Sequence, residues 1–162
     1  MKTNTIDDKV ITHDFPVWRE KANFILAVRL IDPDIPKQWK WEQIWARQIN
    51  ENLFEICCVP FFAYGLALGD IINSKSSDDK QYIVNEIVKK SGHTTYRIWF
   101  TITDNWNNII EDITEIGCLV EVRWEKSKLI SVDAPDFETK EKLELYLTDL
   151  ESREIAKCEI GM

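Results

Sequence analysis

The sequence predicts an α+β protein: a small antiparallel β-barrel-like N-terminal part, then a β-α-β-β-α layer of ferredoxin-like type. Three observations predict it. Between Ala22 and Val88, about five β-branched and aromatic runs alternate with turn residues, the signature of short strands in tandem. After Ser91-Gly92-His93 the apolar spacing changes twice to three and four residues, the stripe of an amphipathic helix. The chain of 162 residues, 44% hydrophobic and 11% aromatic, is long enough to bury a core and too apolar for disorder.

In chain order, a lead of residues 1–21 precedes the barrel-like part (22–93) and the α+β part packed against it (94–162). Phe24, Leu26, Val28 and Leu30 alternate with smaller or polar residues, the period of a strand, until Asp32-Pro33-Asp34-Ile35-Pro36 ends it. Gln43 to Ile49 and Leu53 to Val59 flank Asn50-Glu51-Asn52 and read as a hairpin, stopped by Pro60. An apolar connection, Phe61 to Asp70, bends at Gly65 and Gly69. A short strand at Ile71-Ile72-Asn73, a charged turn from Lys75 to Lys80 and a strand from Tyr82 to Val88 complete this part.

In the second half Thr95 to Thr101 is a strand. Trp106, Ile109, Ile110, Ile113 and Ile116 then form a helical stripe, capped by Asp104 or Asn105 and closed by Gly117 in the left-handed position. Cys118 to Trp124 and Lys128 to Asp133 make a hairpin around Lys126-Ser127. Asp136 opens a second helix that buries Leu143, Tyr146, Leu147 and Leu150, and Ile155 to Ile160 offers a last short strand.

Composition narrows the function classes. With 20 Lys and Arg against 28 Asp and Glu, the net charge of −8 disfavours a general grip on nucleic acid or anionic lipid and suits a basic protein partner. Residues 1–16 lack the apolar core of a signal peptide, and the longest nearly uncharged run, Ile56 to Gly69, falls short of the roughly 20 residues that span a bilayer. The expectation is a cytoplasmic protein. Cysteines 57, 58, 118 and 158 show no C-x-x-C spacing and there are only two histidines, so no metal, no cofactor and buried reduced thiols are expected.

The run Leu53-Phe54-Glu55-Ile56-Cys57-Cys58-Val59-Pro60-Phe61-Phe62-Ala63-Tyr64-Gly65-Leu66-Ala67-Leu68-Gly69-Asp70 resembles the signature stretch of the bacterial "domain of unknown function 4265" family. Glu42-Gln43-Ile44-Trp45-Ala46, Ser91-Gly92-His93-Thr94-Thr95-Tyr96-Arg97 and the stretch from Gly117-Cys118 to Val132-Asp133-Ala134-Pro135 are similar in order and spacing. The chain departs from that pattern at Cys57-Cys58, where polar residues are expected, and in its longer lead before Phe24. The resemblance implies the fold and a bacterial, cytosolic origin; it implies no activity, cofactor or catalytic residue.

Asp70, Ser91 and His93 are the most enzyme-like constellation, but no nucleophile elbow surrounds Ser91, and a turn with Asp70 capping the Gly69 bend accounts for the same residues. A small hydrolase-like enzyme using these residues, or a regulator that binds a peptide or ligand on the barrel, are the competing readings. Cys58 lies in an apolar run, where a thiol is unreactive. Trp39, Trp41 and Trp45 with Phe61, Phe62 and Tyr64 have only Lys37, Lys40 and Arg47 near them, too few cations for a base-stacking platform, which favours core and loop-covering roles.

Charge position is more informative. Residues 1–103 hold 13 basic and 13 acidic side chains, and residues 104–162 hold 7 and 15, so the whole excess lies in the second half. The first helix has no Lys or Arg, and Glu111 and Glu115 are like charges four apart, with Glu115 also opposing the helix dipole. Local stability does not select such a face. Asn107, Asn108, Glu111, Asp112 and Glu115 are therefore the candidate partner-binding residues. The leading expectation is a non-enzymatic immunity or antitoxin-type protein that neutralises a basic antibacterial toxin such as a nuclease.

Overall fold

The structure is a computed structural model and describes residues 10–31, 40–77, 80–101, 105–123 and 128–161. Among them are ten strands: β1 (Val10–Ile11), β2 (Phe24–Arg29), β3 (Trp41–Asn50), β4 (Leu53–Ile56), β5 (Ile71–Ser77), β6 (Lys80–Lys89), β7 (Thr94–Phe100), β8 (Leu119–Arg123), β9 (Leu129–Ala134) and β10 (Ala156–Ile160). Two helices, α1 (Trp106–Ile116) and α2 (Phe137–Ser152), lie in the second half.

The first sheet runs β1-β3-β2-β6-β5-β4, and a β3–β4 pairing closes its five main strands into a barrel. Each of those neighbours is antiparallel except β2 and β6, which run parallel and meet at Ala27 and Ile83. Period-two alternation fills the interior: Ile44 and Ala46 from β3, Phe54 and Ile56 from β4, Leu26 and Ile72 are all buried in one cluster.

The second half has the order β-α-β-β-α-β, and its four strands run β10-β7-β9-β8, all antiparallel. Tyr96, Ile98, Ile130 and Val132 point to one side, where Ile109 and Ile113 of α1 and Leu143, Leu147 and Leu150 of α2 cover them. The other side turns toward the barrel, so β9 is buried along its whole length. Ile11, Phe61, Phe62 and Leu129 form a third cluster at that junction.

Several expectations shift at element ends. The strand from Leu53 stops at Ile56 rather than Val59, because the chain leaves the ladder there to reach the second sheet: Val59 N donates to Glu121 at 2.6 Å. The expected turn from Lys75 to Lys80 is strand as far as Ser77 and again from Lys80, since Lys75 pairs with Ile83 and Ser77 with Lys80. Asn105 precedes α1 in the left-handed conformation (φ 64°) and gives no side-chain cap, because capping needs an extended backbone that aims the side chain at the first amides. Gly117 does close the helix at φ 115°, and Asp136 caps α2 by accepting from Thr139 N at 2.8 Å. Tyr146 is half-buried at the edge of the α2 stripe rather than within it. Asp104, Trp39, the 32–36 breaker and the Lys126-Ser127 turn lie outside the described residues.

Candidate functional site

Burying Ile109 and Ile113 against the sheet sends every residue on the opposite arc of α1 into solvent. Asn107, Asn108, Glu111, Asp112 and Glu115 are all exposed there, so the structure brings the five predicted residues onto one face. α1 carries three carboxylates and no cation, and α2 carries five carboxylates against two lysines; together the helices hold a net charge of −6 of the chain's −8.

Between the helices a groove of about 410 Å³ is lined by Asp112, Glu115, Ile116, Lys142 and Tyr146. Its carboxylates are not neutralised across the groove. Lys142 pairs with Glu138 one turn back at 3.1 Å, and Asp112 accepts the Tyr146 hydroxyl at 2.8 Å, which with burial holds the phenol protonated. Leu145 on α2 is 76% exposed and sits among charged neighbours. The layer combines acidic groups, a phenol and exposed apolar carbon.

The enzyme-like residues come together differently from expectation. Ser91 Oγ donates to Leu68 O at 2.7 Å and accepts His93 N at 3.1 Å, so its proton is committed to a carbonyl. Asp70 does cap the glycine bend: it accepts from Ala67 N at 2.9 Å and from Ser91 N at 2.8 Å. The His93 ring bonds Asp133 of β9 at 2.8 Å rather than Asp70. That contact holds the imidazolium above its ordinary value, while burial pushes Asp133 up, so the pair retains a proton more tightly than free histidine does. Each of these hydrogen bonds fixes the Leu68 to His93 corner, and none activates Ser91.

Cys57 and Cys58 are both fully buried, and burial pushes the Cys57 thiol to about 11 and raises Cys58. Trp41 and Trp45 are half-buried and Phe61 and Phe62 buried; Tyr64, 42% exposed, lies over the Arg97 guanidinium at 4.0 Å. Among the described residues no group of three or more His, Cys, Asp or Glu is placed to hold a metal ion. No described helix is long and apolar enough to cross a membrane.

The lead and three polar positions were not singled out by sequence reasoning, yet they organise the junction. Val10–Ile11 pairs with β3, which carries His13 into the seam between barrel and sheet. There Glu42 of β3 and Glu121 of β8 hold its two ring nitrogens at 2.8 and 2.6 Å. The loop after β4 spends its backbone on the same groups. Phe61, Phe62 and Ala63 donate to Glu42, Val59 donates to Glu121, and Ser131 donates to Val59 O. Thr95 donates to Leu66 O, completing a buried connection whose polar atoms are met by side chains of both sheets. One signal was available: Glu42 shares the inward register of Ile44 and Ala46, and Arg97 that of Thr95.

A five-stranded barrel joined through a buried loop to a helix-backed sheet, with an acidic outer layer and a desolvated Glu-His-Glu junction, defines a mixed α+β protein. The chain belongs to the family described as "Domain of unknown function (DUF4265)", which matches residues 42–158. It is similar in fold to a hypothetical protein from Neisseria gonorrhoeae, with a TM-score of 0.69 and 20% identity over 86% of this chain and 95% of that one. No curated protein matches.

Proposed function

We propose that the protein is a non-enzymatic binding protein of the immunity or antitoxin type, acting in the cytoplasm and docking a basic toxin, such as a nuclease, through its helical layer. The observation that carries this reading is the exposed face of α1, where Asn107, Asn108, Glu111, Asp112 and Glu115 meet no cation of their own helix. A nuclease holds phosphates in a cationic cleft, and a fixed array of carboxylates on a rigid layer competes for that cleft and steers the encounter. We read the helix-backed sheet as ferredoxin-like on its strand order, which presents both helices as one continuous outer surface.

Co-expression with the toxin-like product of an adjacent gene tests the reading: rescue of growth and a purified complex are expected, and neither rescue nor complex overturns it. Given a complex, the pair Glu111→Lys and Asp112→Lys should slow association on the order of tenfold at low salt, with the difference shrinking as salt rises. An unchanged association rate removes α1 from the interface.

A further inference from the structure

We infer that the segment Val10–Val17 is a proton-controlled strap: the protonated ring of His13, clamped between the buried carboxylates of Glu42 and Glu121, fastens it across the seam of barrel and sheet, and loss of that proton releases it.

Hydrogen counting carries the argument. Glu42 accepts four bonds: Oε1 takes His13 Nε2 at 2.8 Å and Phe61 N at 2.6 Å, and Oε2 takes Phe62 N at 2.9 Å and Ala63 N at 2.8 Å. A carboxylate with its acceptor positions filled is ionised, so Nε2 must carry hydrogen. On Glu121, Oε2 accepts Val59 N at 2.6 Å and Val17 N at 3.3 Å, while Oε1 faces His13 Nδ1 at 2.6 Å. One further proton has to lie between Nδ1 and Oε1. Removing it sets a nitrogen lone pair against a buried carboxylate oxygen, an uncompensated arrangement in a site where all three side chains are almost fully shielded from water.

The other groups around the ring leave that balance in place. Cys58 lies beside it as a buried thiol, raised by its own burial, and Phe61 stacks on it with centroids 4.6 Å apart. Arg123 of β8 places its guanidinium 5.6 Å from the centroid of the Phe61 ring and interacts with Glu42 and with Asp14 of the segment itself. Burial disfavours the charged imidazole, but the carboxylates of Glu121 and Glu42 on its two nitrogens favour it, and His13 is held well above its ordinary 6.5.

Ile11 anchors one end of the segment in the cluster with Phe61, Phe62 and Leu129, and Pro16 is buried at the other. Between those ends β1 pairs with β3 through two residues only, and Thr12, Asp14 and Phe15 are exposed on either side of buried His13. The raised histidine contributes stability that is complete below pH 6.5 and is lost as pH climbs through its folded value. Glu42, whose folded value lies below 4.5 through its bonds to His13 and the loop amides despite burial, contributes stability present above 4.5 and lost only in stronger acid. The strap is therefore closed from mildly acidic to neutral pH and opens toward alkali.

Nuclear magnetic resonance on the full chain tests this, helped by the presence of only two histidines. The His13 ring is expected to keep both nitrogens protonated at pH 7 to 8, beyond free histidine's roughly 6.5. Amide protection at Val17 and Trp18 should fall about tenfold or more as His13 titrates, while Ile130 and Val132 in β9 keep theirs. Glu121→Gln, which removes one clamping charge, should move release to lower pH, and His13→Gln should leave the segment unprotected throughout. If His13→Gln does not fold, the unaltered chain and Glu121→Gln decide the matter. A His13 midpoint at the ordinary value, or segment protection that follows Ile130 at every pH, overturns the proposal.

Discussion

On one side of the four-stranded sheet, Tyr96, Ile98, Ile130 and Val132 meet Leu143, Leu147 and Leu150 of α2 with almost no polar atom between them. On the other side, one residue along each strand, Thr95, Arg97, Glu121, Ser131 and Asp133 are equally buried and polar, with Leu129 beside them in the cluster that meets Ile11, Phe61 and Phe62. The contact partner explains the difference. A helix has already satisfied its own backbone and offers only side-chain carbon, so volume is what the sheet must match. The connection from Cys57 to Asp70 is mostly buried without a ladder of its own, so side chains must supply donors and acceptors one by one, Glu42 from the barrel and Thr95, Glu121 and Ser131 from this sheet. One face specifies shape and the other specifies chemistry.

Volume-conserving substitutions separate the two most sharply. From the barrel side of the same buried loop, Glu42→Gln keeps the outline of the side chain but turns an amide donor toward backbone donors, and should cost about 3–5 kcal/mol in denaturant unfolding at neutral pH. A loss below about 1 kcal/mol would show that the loop is not held by that carboxylate. Leu143→Met conserves volume on the apolar face and should cost less than about 1.5 kcal/mol by the same measurement; a larger loss would mean that this face also demands a unique shape. The smallest expected effect lies outside both faces. Glu115→Lys relieves repulsion with Glu111 and complements the C-terminal end of α1, so the midpoint of thermal unfolding should rise, by a few tenths of a kcal/mol in stability. A fall would indicate that Glu115 makes a contact in the folded chain that its exposed position does not suggest.

The apolar face was legible in the sequence, and the polar face was not. Ile109, Ile113, Leu143, Leu147 and Leu150 announce themselves by spacing, and Gly117 and Asp136 by position, because helices are local structures coded by near neighbours. The acidic residues of α1 could be placed in solvent by the same periodicity. His13, Glu42 and Glu121 come from three distant segments, so even where register places Glu42 inward with Ile44 and Ala46, nothing in the sequence names the groups that meet it. The parallel seam of β2 and β6 is hidden for the same reason: Ala27 and Ile83 are joined by topology, not by pattern. The family resemblance located the buried loop without revealing what satisfies it.

Synthesis from the N-terminus gives the junction a chronology. Val59 leaves the ribosome 62 residues before Glu121 and 72 before Ser131, and His13 precedes Glu121 by 108. For that interval the barrel strands can pair among themselves and Glu42 can take the amides of Phe61, Phe62 and Ala63, but the amide and carbonyl of Val59 and the carbonyl of Leu66 have no partner except water. The protein therefore cannot acquire its buried connection by finishing one half and then the other. It closes only when the last strands arrive, as a single late event that commits both halves together.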